Sequence, residues 1–354
     1  MQGNIDELLA SPVSFLDDSE PGSIAISTRI RLARNLAGRP FPCAATADEQ
    51  QEISEQIKEA VRTSRALDFD SSHREFNIPE LDMTDRRILF ERRLASAEFI
   101  AKNHSNCLMV CPKERCSIMI NEEDQLRMQS IRPGFQLDEV FREINHIDDL
   151  IGAQLDYAFD EQTGFLTSCP TNAGTGMRAS VMLHLPALVL SGQIAPTIQG
   201  ISKLHLAIRG IFGEGSEYLG NFFQISNQST LGESEEKIIS NLKTVIEQLI
   251  RHEKNTRQQL LENDRFALLD FIGRSYGILR HSYKLSGQEA LKSLSGVRLG
   301  VDLGLFNTLD TGKINELFIA TGKAHLQKRS DAPLDENERD ICRAALCRER
   351  LKQH

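Results

Sequence analysis

"KLHLAIRGIFGEGSEYLGNFFQISNQ", residues 203 to 228, decides how the chain folds. Its outer parts, "KLHLAIRGIF" and "NFFQISNQ", show the alternation and β-branched content of strands. The glycine-rich "GEGSEYLG" joins them as a hairpin joins its arms, so they pair antiparallel. An antiparallel sheet therefore fits this chain better than a doubly wound parallel one.

The same texture runs outward from the hairpin. "SIAISTRIRLA" (23–33), "RCSIMINEEDQLRMQSI" (115–131) and "GFLTS" (164–168) read as strands. Between them, "TADEQQEISEQIKEAVRTSRAL" (46–67) and "QLDEVFREINHIDDLIGAQLDYAF" (136–159) space apolar residues three and four apart, as helices do. The expected fold is α+β over residues 1–232, an antiparallel sheet flanked by helices. From Ser234 the texture changes to a long amphipathic helix. Capping patterns from Ser286 to Glu289 and from Asp335 to Glu338 then predict an all-α C-terminal domain over 233–354.

Composition narrows the function classes. At 354 residues the chain is long enough for two domains, and its formal charge of −9 argues against nucleic-acid binding. No run approaches the ~20 apolar residues of a spanning helix, and the acidic N-terminal stretch is unlike a signal peptide, so a cytoplasmic protein is expected. The seven cysteines are an odd number in a long chain and read as reduced thiols. Cys107, Cys111 and Cys116, with His104 upstream, lack the paired C-x2-C spacing of zinc knuckles and read instead as two strands around a Pro112 turn. No resident metal site is expected.

The chemistry gathers in a few short blocks. Strand alternation in "STRIRLA" puts Arg29 and Arg31 on one face and turns Ile30 and Leu32 to the core. Two guanidinium groups on one face repel unless an anion lies between them. In "NEEDQLRMQ", extended geometry would project Glu123, Gln125 and Arg127 together. "IRGIFGEGSE" ends a strand with Arg209 and places Glu214 in a glycine loop. "SCPTNAGTGMRAS" (168–180) has glycines but no lysine, so it is not a Walker loop. Met177, Val181 and Leu185 follow a helical spacing that would set Arg178 in a first turn, where amides and dipole favour an anion.

Taken together and in order, "STRIR", "NEEDQLR", "CPTNAGTGMRAS" and "RGIFGE" resemble the signature blocks of the phosphagen (guanidino) kinases over about residues 20 to 232. The layout, with little chain before the first block and an extra helical domain after the last, is similar to the bacterial protein arginine kinases of that family. The resemblance implies a glutamine-synthetase-like catalytic fold and transfer of the ATP γ-phosphoryl group, with Mg2+, to arginine side chains of proteins, marking them for degradation. The alternatives are a small-molecule guanidino kinase and a silent phosphoarginine-binding adaptor.

By the same resemblance, Glu123 and Glu214 clamp the substrate guanidinium, either one being the base, and Cys169 sits beside it as a thiolate favoured by positive charge and helix amides. The nucleotide residues would be Ser27, Thr28, Arg29, Ile30, Arg31, Arg93, Arg127, Arg178, Ala179, Ser180, Val181, Met182, Arg209, Gly210, Ile211, Phe212 and Gly213. "ERDICRA" matches a phosphoarginine-binding motif at Arg339, Asp340, Arg343 and Ala344. Implied partners are protein substrates, a zinc-finger activator, a Clp-type protease and a second copy of the chain. Two positions depart from the family pattern: Gln125 and Arg93 stand where relatives carry His.

Overall fold

The computed structural model describes residues 3–17, 23–68, 73–210, 218–306 and 308–352. Among them are ten strands: β1 Ala25–Arg34, β2 Arg74–Asn77, β3 Cys107–Val110, β4 Cys116–Ile120, β5 Leu126–Pro133, β6 Phe159–Asp160, β7 Gly164–Phe165, β8 Met177–His184, β9 Leu206–Arg209 and β10 Phe222–Asn227. Eight form one sheet in the order β2-β3-β4-β5-β1-β8-β10-β9, while β6 and β7 make a small separate ribbon. Every pairing in the large sheet is antiparallel, including β9 with β10 as the hairpin pattern predicts.

The two faces of the sheet differ. Ile30 and Leu32 of β1, Met177, Ala179, Val181 and Leu183 of β8 and Ile225 of β10 point to the back, into one core with the helices Ala47–Ser64 and Leu137–Gly152. The first helix starts with a full capping box between Thr46 and Glu49. On the front, two separate clusters cover parts of the sheet. Leu108, Val110 and Met119 pack with Ile88, Leu89 and Phe99 of the helices Met83–Glu91 and Ala97–Ala101. Elsewhere Ile131, Met182 and Phe222 pack against Leu294, Val297, Ile314 and Leu317 of the C-terminal helices.

The expected boundary at 232/233 needs correction. Helix Glu235–Asn263 puts Ile238, Ile239, Leu242, Ile246 and Leu249 into the core behind the sheet, so its first half is a structural part of the sheet layer. The C-terminal helices proper begin at Arg265 and run through Glu336–Arg350. They also bury Val13, Phe15 and Leu16 from the start of the chain. Among the described residues no helix is long and apolar enough to cross a membrane.

Candidate active site

Registers show how the arginines converge. Arg31 of β1 lies opposite Arg178 of β8, and Arg29 opposite Ser180. On the other side of β1, Ala33 is opposite Arg127 of β5, and Arg31 opposite Gln129. Directly opposed residues share a face, and so do residues two apart. Arg29, Arg31, Arg127 and Arg178 are therefore all on the front. Ser226 of β10 lies opposite Ser180 and Gln224 opposite Met182, while Arg209 of β9 is opposite Gln224, which places Arg209 there too. Arg178 donates to Ser226 Oγ from Nη2 at 3.1 Å. Arg93, at φ +60° after helix Met83–Glu91, joins the group: its carbonyl accepts from Gln129 Nε2 at 2.7 Å.

Six guanidinium groups gathered on one face of the sheet set up a strong field. Burial, then repulsion from Arg93, Arg127, Arg178 and Arg209, lowers the pKa of Arg29 to about 9. Burial and the charges of Arg29, Arg127 and Arg178 hold Arg31 well below its ordinary value, with Glu122 only partly offsetting them. Burial takes Arg93 to about 10. For Arg127, burial acts downward, but a 2.6 Å ion pair with Glu122 and the charges of Glu123 and Asp124 together outweigh it and the pKa rises. Arg31 Nε is buried without a hydrogen-bond partner. Such a surface fits a ligand carrying several negative charges, as a nucleoside triphosphate does.

Some residues of the same blocks point away. Thr28, Ile30, Ala179 and Val181 are fully buried on the back face, so their side chains do not reach this surface. Met182 belongs to the apolar cluster under the C-terminal helices. Ser27 is buried in β1 and Gly210 is buried after β9. Glu214, Ile211, Phe212 and Gly213 lie outside the described residues.

At the edge of the arginine face sits the acidic loop. Residues 121–125 form a run of bends between β4 and β5, so the expected extended projection of Glu123, Gln125 and Arg127 does not occur. Gln125 turns inward: its Oε1 accepts from the amide of Leu36 at 2.6 Å and its Nε2 donates to the carbonyl of Pro40 at 2.9 Å. Glu122 is buried against Arg127 and accepts from Ser96 Oγ at 2.6 Å. Glu123 alone of the three acids is exposed. Partial burial of its carboxylate, then the charges of Glu122, Asp124 and Glu98, raise its pKa against the opposing pull of Arg127.

The cysteine loop is tied to this acidic loop. Asp124, buried, accepts from Asn35 Nδ2 and from the amide of Ser168, both at 2.7 Å. Asn172 Nδ2 donates to Glu123 Oε2 at 3.4 Å. Cys169 is half-buried, with Sγ 2.9 Å from Thr171 Oγ1. Thr230 Oγ1 holds the far side of the loop by bonding to the carbonyls of Thr171 and Ala173. The helix expected from Met177 is instead strand β8, so this segment supplies no helix N-terminus to Arg178 or Cys169. The roles of Asn35, Asp124, Asn172 and Thr230 escape a sequence reading because each depends on a partner distant in sequence.

Glycine is required here for space. Gly176 has φ +64°, and a Cβ there would lie 2.6 Å from the carbonyl oxygen of Ala33 and 2.6 Å from Arg34 Nη1. Gly176→Ala is expected to destabilise the protein by about 2 kcal/mol or more, read as a lower urea midpoint with unchanged slope.

In the C-terminal helix Glu336–Arg350, Arg343 is buried. It donates from Nε to the carbonyl of Thr321 at 3.1 Å and from Nη1 to that of Leu285 at 2.8 Å and to Asp340 at 2.6 Å. Ala344 is in the core, and half-buried Arg339 bonds to the carbonyl of Leu334.

This arrangement can be set beside known proteins. The family model for the ATP:guanido phosphotransferase C-terminal catalytic domain matches residues 52–256, more than half of the chain. The chain belongs to the ATP:guanido phosphotransferase family. A second family model, the protein-arginine kinase McsB C-terminal domain, matches residues 265–354. A protein-arginine kinase of Halalkalibacterium halodurans is 47% identical over 95% of this chain and 94% of its own length. One from Halothermothrix orenii is 43% identical over 93% of each chain. Among solved structures, a duplicated taurocyamine kinase from Schistosoma mansoni with bound transition-state-analogue components shares the fold at TM-score 0.59 and 22% identity. It matches 72% of this chain and 35% of its own. A lombricine kinase matches 71% of this phosphotransferase and 72% of its own chain at TM-score 0.57 and 24% identity.

Proposed function

We propose that this phosphotransferase moves the γ-phosphoryl group of ATP onto arginine side chains of proteins. The observation that carries the reading is the arginine face with Glu123 at its edge: a polyanion site beside an exposed carboxylate whose pKa is raised. A substrate guanidinium is protonated at neutral pH, with a pKa of roughly 12.5–13.8, and must lose a proton as the N–P bond forms. Glu123, steadied by Asn172, would orient that group and take the proton, with Glu214 as the second carboxylate. Cys169 would help position the guanidinium from the adjoining loop.

Phosphoryl transfer spreads negative charge over the moving group and the leaving oxygens. Arg29, Arg31, Arg127, Arg178 and Arg209 would bind those oxygens, and Arg93 would add to the nucleotide contacts. Their charges are in place before the reaction starts, so little reorganisation is needed. Among the described residues no group of three or more His, Cys, Asp or Glu could hold a metal ion. Mg2+ would enter on the nucleotide and neutralise part of its charge.

Within the segment Arg339, Asp340, Arg343 and Ala344, the half-buried Arg339 and Asp340 would recognise phosphoarginine on the chain itself or on its products, while the buried Arg343 and Ala344 would hold them in place. Residues 1–232 together with the first half of helix Glu235–Asn263 would form the catalytic unit, and the helices beyond would support a cytoplasmic homodimer. A zinc-finger activator and a Clp-type protease acting on the marked proteins complete the proposal.

The test is phosphorylation by the purified chain with ATP and Mg2+, offered a loosely folded arginine-rich protein and, separately, free arginine. Products are mapped at neutral or basic pH because the N–P bond is acid-labile. Phosphoarginine on the protein is the expected result. Consumption of free arginine alone would make the chain a small-guanidine kinase, and absence of any product with phosphoarginine still bound would make it an adaptor.

A further inference from the structure

On the back of the sheet, away from the arginine face, the β3–β4 hairpin brings two thiols together. Cys111 and Cys116 continue the register in which Val110 opposes Ser117, and the amide of Cys111 donates to the carbonyl of Cys116 at 3.0 Å. Hydrogen-bonded cross-strand residues have Cα atoms about 5.5 Å apart with side chains on one face. That lies inside the window of about 4.4–6.8 Å that a disulfide requires. Both cysteines are free thiols, each 1% exposed.

The two sulfurs are not equivalent. The amide of Cys116 donates to Cys111 Sγ at 3.1 Å. A hydrogen bond from the Cys116 thiol, then backbone amides of Cys116, Arg115 and Lys113, lower the pKa of Cys111 despite its burial. Burial, then the Cys111 sulfur, push Cys116 the other way. One thiolate-prone sulfur thus sits against one held as a thiol, the usual arrangement of an attacking and a resolving cysteine. Cys111, though itself buried, is among the residues that line an open cleft of about 550 Å3, with Lys113, Arg115, Arg132, Arg142 and His146 also in its walls.

The hairpin tip is held in this geometry. Glu114, buried in the turn, accepts from Arg92 Nε at 2.9 Å and from Nη2 at 2.8 Å, while Arg115 accepts through its carbonyl from the amide of Ile131 at 2.7 Å. A fixed tip keeps the thiols opposed and lowers the entropy lost on joining them.

We propose that Cys111 and Cys116 form a peroxide-sensitive dithiol whose product is a reversible intrachain disulfide. The Cys111 thiolate attacks one peroxide oxygen, the O–O bond breaks, and a sulfenic acid forms on Cys111 as the second oxygen leaves as hydroxide. The Cys116 sulfur then attacks the Cys111 sulfur, the S–S bond forms, and water leaves with the Cys116 proton. The two cysteines lose two electrons in all and the peroxide gains them.

The test treats the native full-length chain with hydrogen peroxide, blocks free thiols after unfolding without reductant, and maps the peptides by mass spectrometry. No kinase activity is needed, so this test stands apart from that of the transfer reaction. The expected result is joint loss of alkylation at Cys111 and Cys116, a linked peptide lighter by two hydrogens, and full recovery with dithiothreitol. Cys116→Ser is expected to stop at a Cys111 sulfenic acid that dimedone traps, and in Cys111→Ser the Cys116 thiol should stay free at the same dose. Oxidation of exposed Cys43 and half-buried Cys169 while Cys111 and Cys116 both remain alkylatable would overturn the proposal. Pairing of Cys111 with Cys107 would overturn it as well.

Discussion

Arg29→Met should make the nucleotide-free protein more stable while removing most of its activity. Burial and four neighbouring guanidinium groups hold Arg29 at a pKa of about 9. In that state the unfolded chain binds the proton more tightly than the folded one. Stability linked to this group therefore rises with pH from about 9 toward its ordinary value, and below about 9 the folded protein bears the whole repulsion. Methionine keeps the apolar stem and deletes the charge, so the melting temperature without ATP should rise by a degree or more, on the order of 2 °C. The upward shift produced by ATP should shrink, since it reports the affinity that the arginine supplies. Loss of a preorganised cation facing developing charge should lower kcat by about 10²–10³-fold.

Arg34, on the same strand, should respond in the opposite way. It is buried on the back face, pairs with Asp148 at 2.6 Å and lies 3.5 Å over the ring of Phe165. Removing one partner of such a buried pair costs about 3–5 kcal/mol, so Arg34→Met should be plainly destabilised. Calorimetry of both variants with and without ATP decides the matter. A fall in stability for Arg29→Met in the absence of ATP would mean that its charge is compensated within the fold and that the arginine face is structural.

The two arginines differ because strand alternation puts them on opposite faces, which is why the arginine face could be read from the sequence. Period two in "STRIRLA" separates Arg29 and Arg31 from Ile30 and Leu32, and the glycine-rich hairpin correctly implies the antiparallel sheet that aligns them with Arg178 and Arg209. The same rule applies to β8 and is easily missed there. Met177, Val181 and Leu185 match a helical spacing, but Met177, Ala179, Val181, Leu183 and Leu185 are also apolar at every second position. Met182, apolar on the other face because the C-terminal helices cover it, blurs that alternation.

Past Ile120 no periodicity governs. The chain turns, and the outcome depends on partners distant in sequence, such as Leu36 and Pro40 for Gln125 or Asn35 for Asp124. The change of texture at Ser234 is real, but it marks the start of a helix rather than the end of a core. Half of that helix covers the back of the sheet.

Glu123→Gln is the variant expected to separate chemistry from binding. Gln keeps the size and the hydrogen-bond acceptor that faces Asn172, yet it cannot take a proton, so kcat should fall by about 10²–10⁴-fold while KM for ATP changes little. The pH profile gives a second reading. Burial and the acids around Glu123 raise its pKa. With Glu123 as the proposed base, active only when deprotonated, the acid limb of kcat/KM should lie above the ordinary glutamate value of about 4.3. Raising its burial or its acidic surroundings would move that limb higher. Glu122→Gln, one residue away, removes the ion pair that holds Arg127, so if Arg127 binds phosphate as proposed its principal effect should be a higher KM for ATP. If the two variants lost kcat equally with KM unchanged, the division between a buried glutamate that positions Arg127 and an exposed one that handles the proton would be wrong. If Glu123→Gln left kcat intact, the proton would have to go to another carboxylate, for which Glu214 is the proposed candidate.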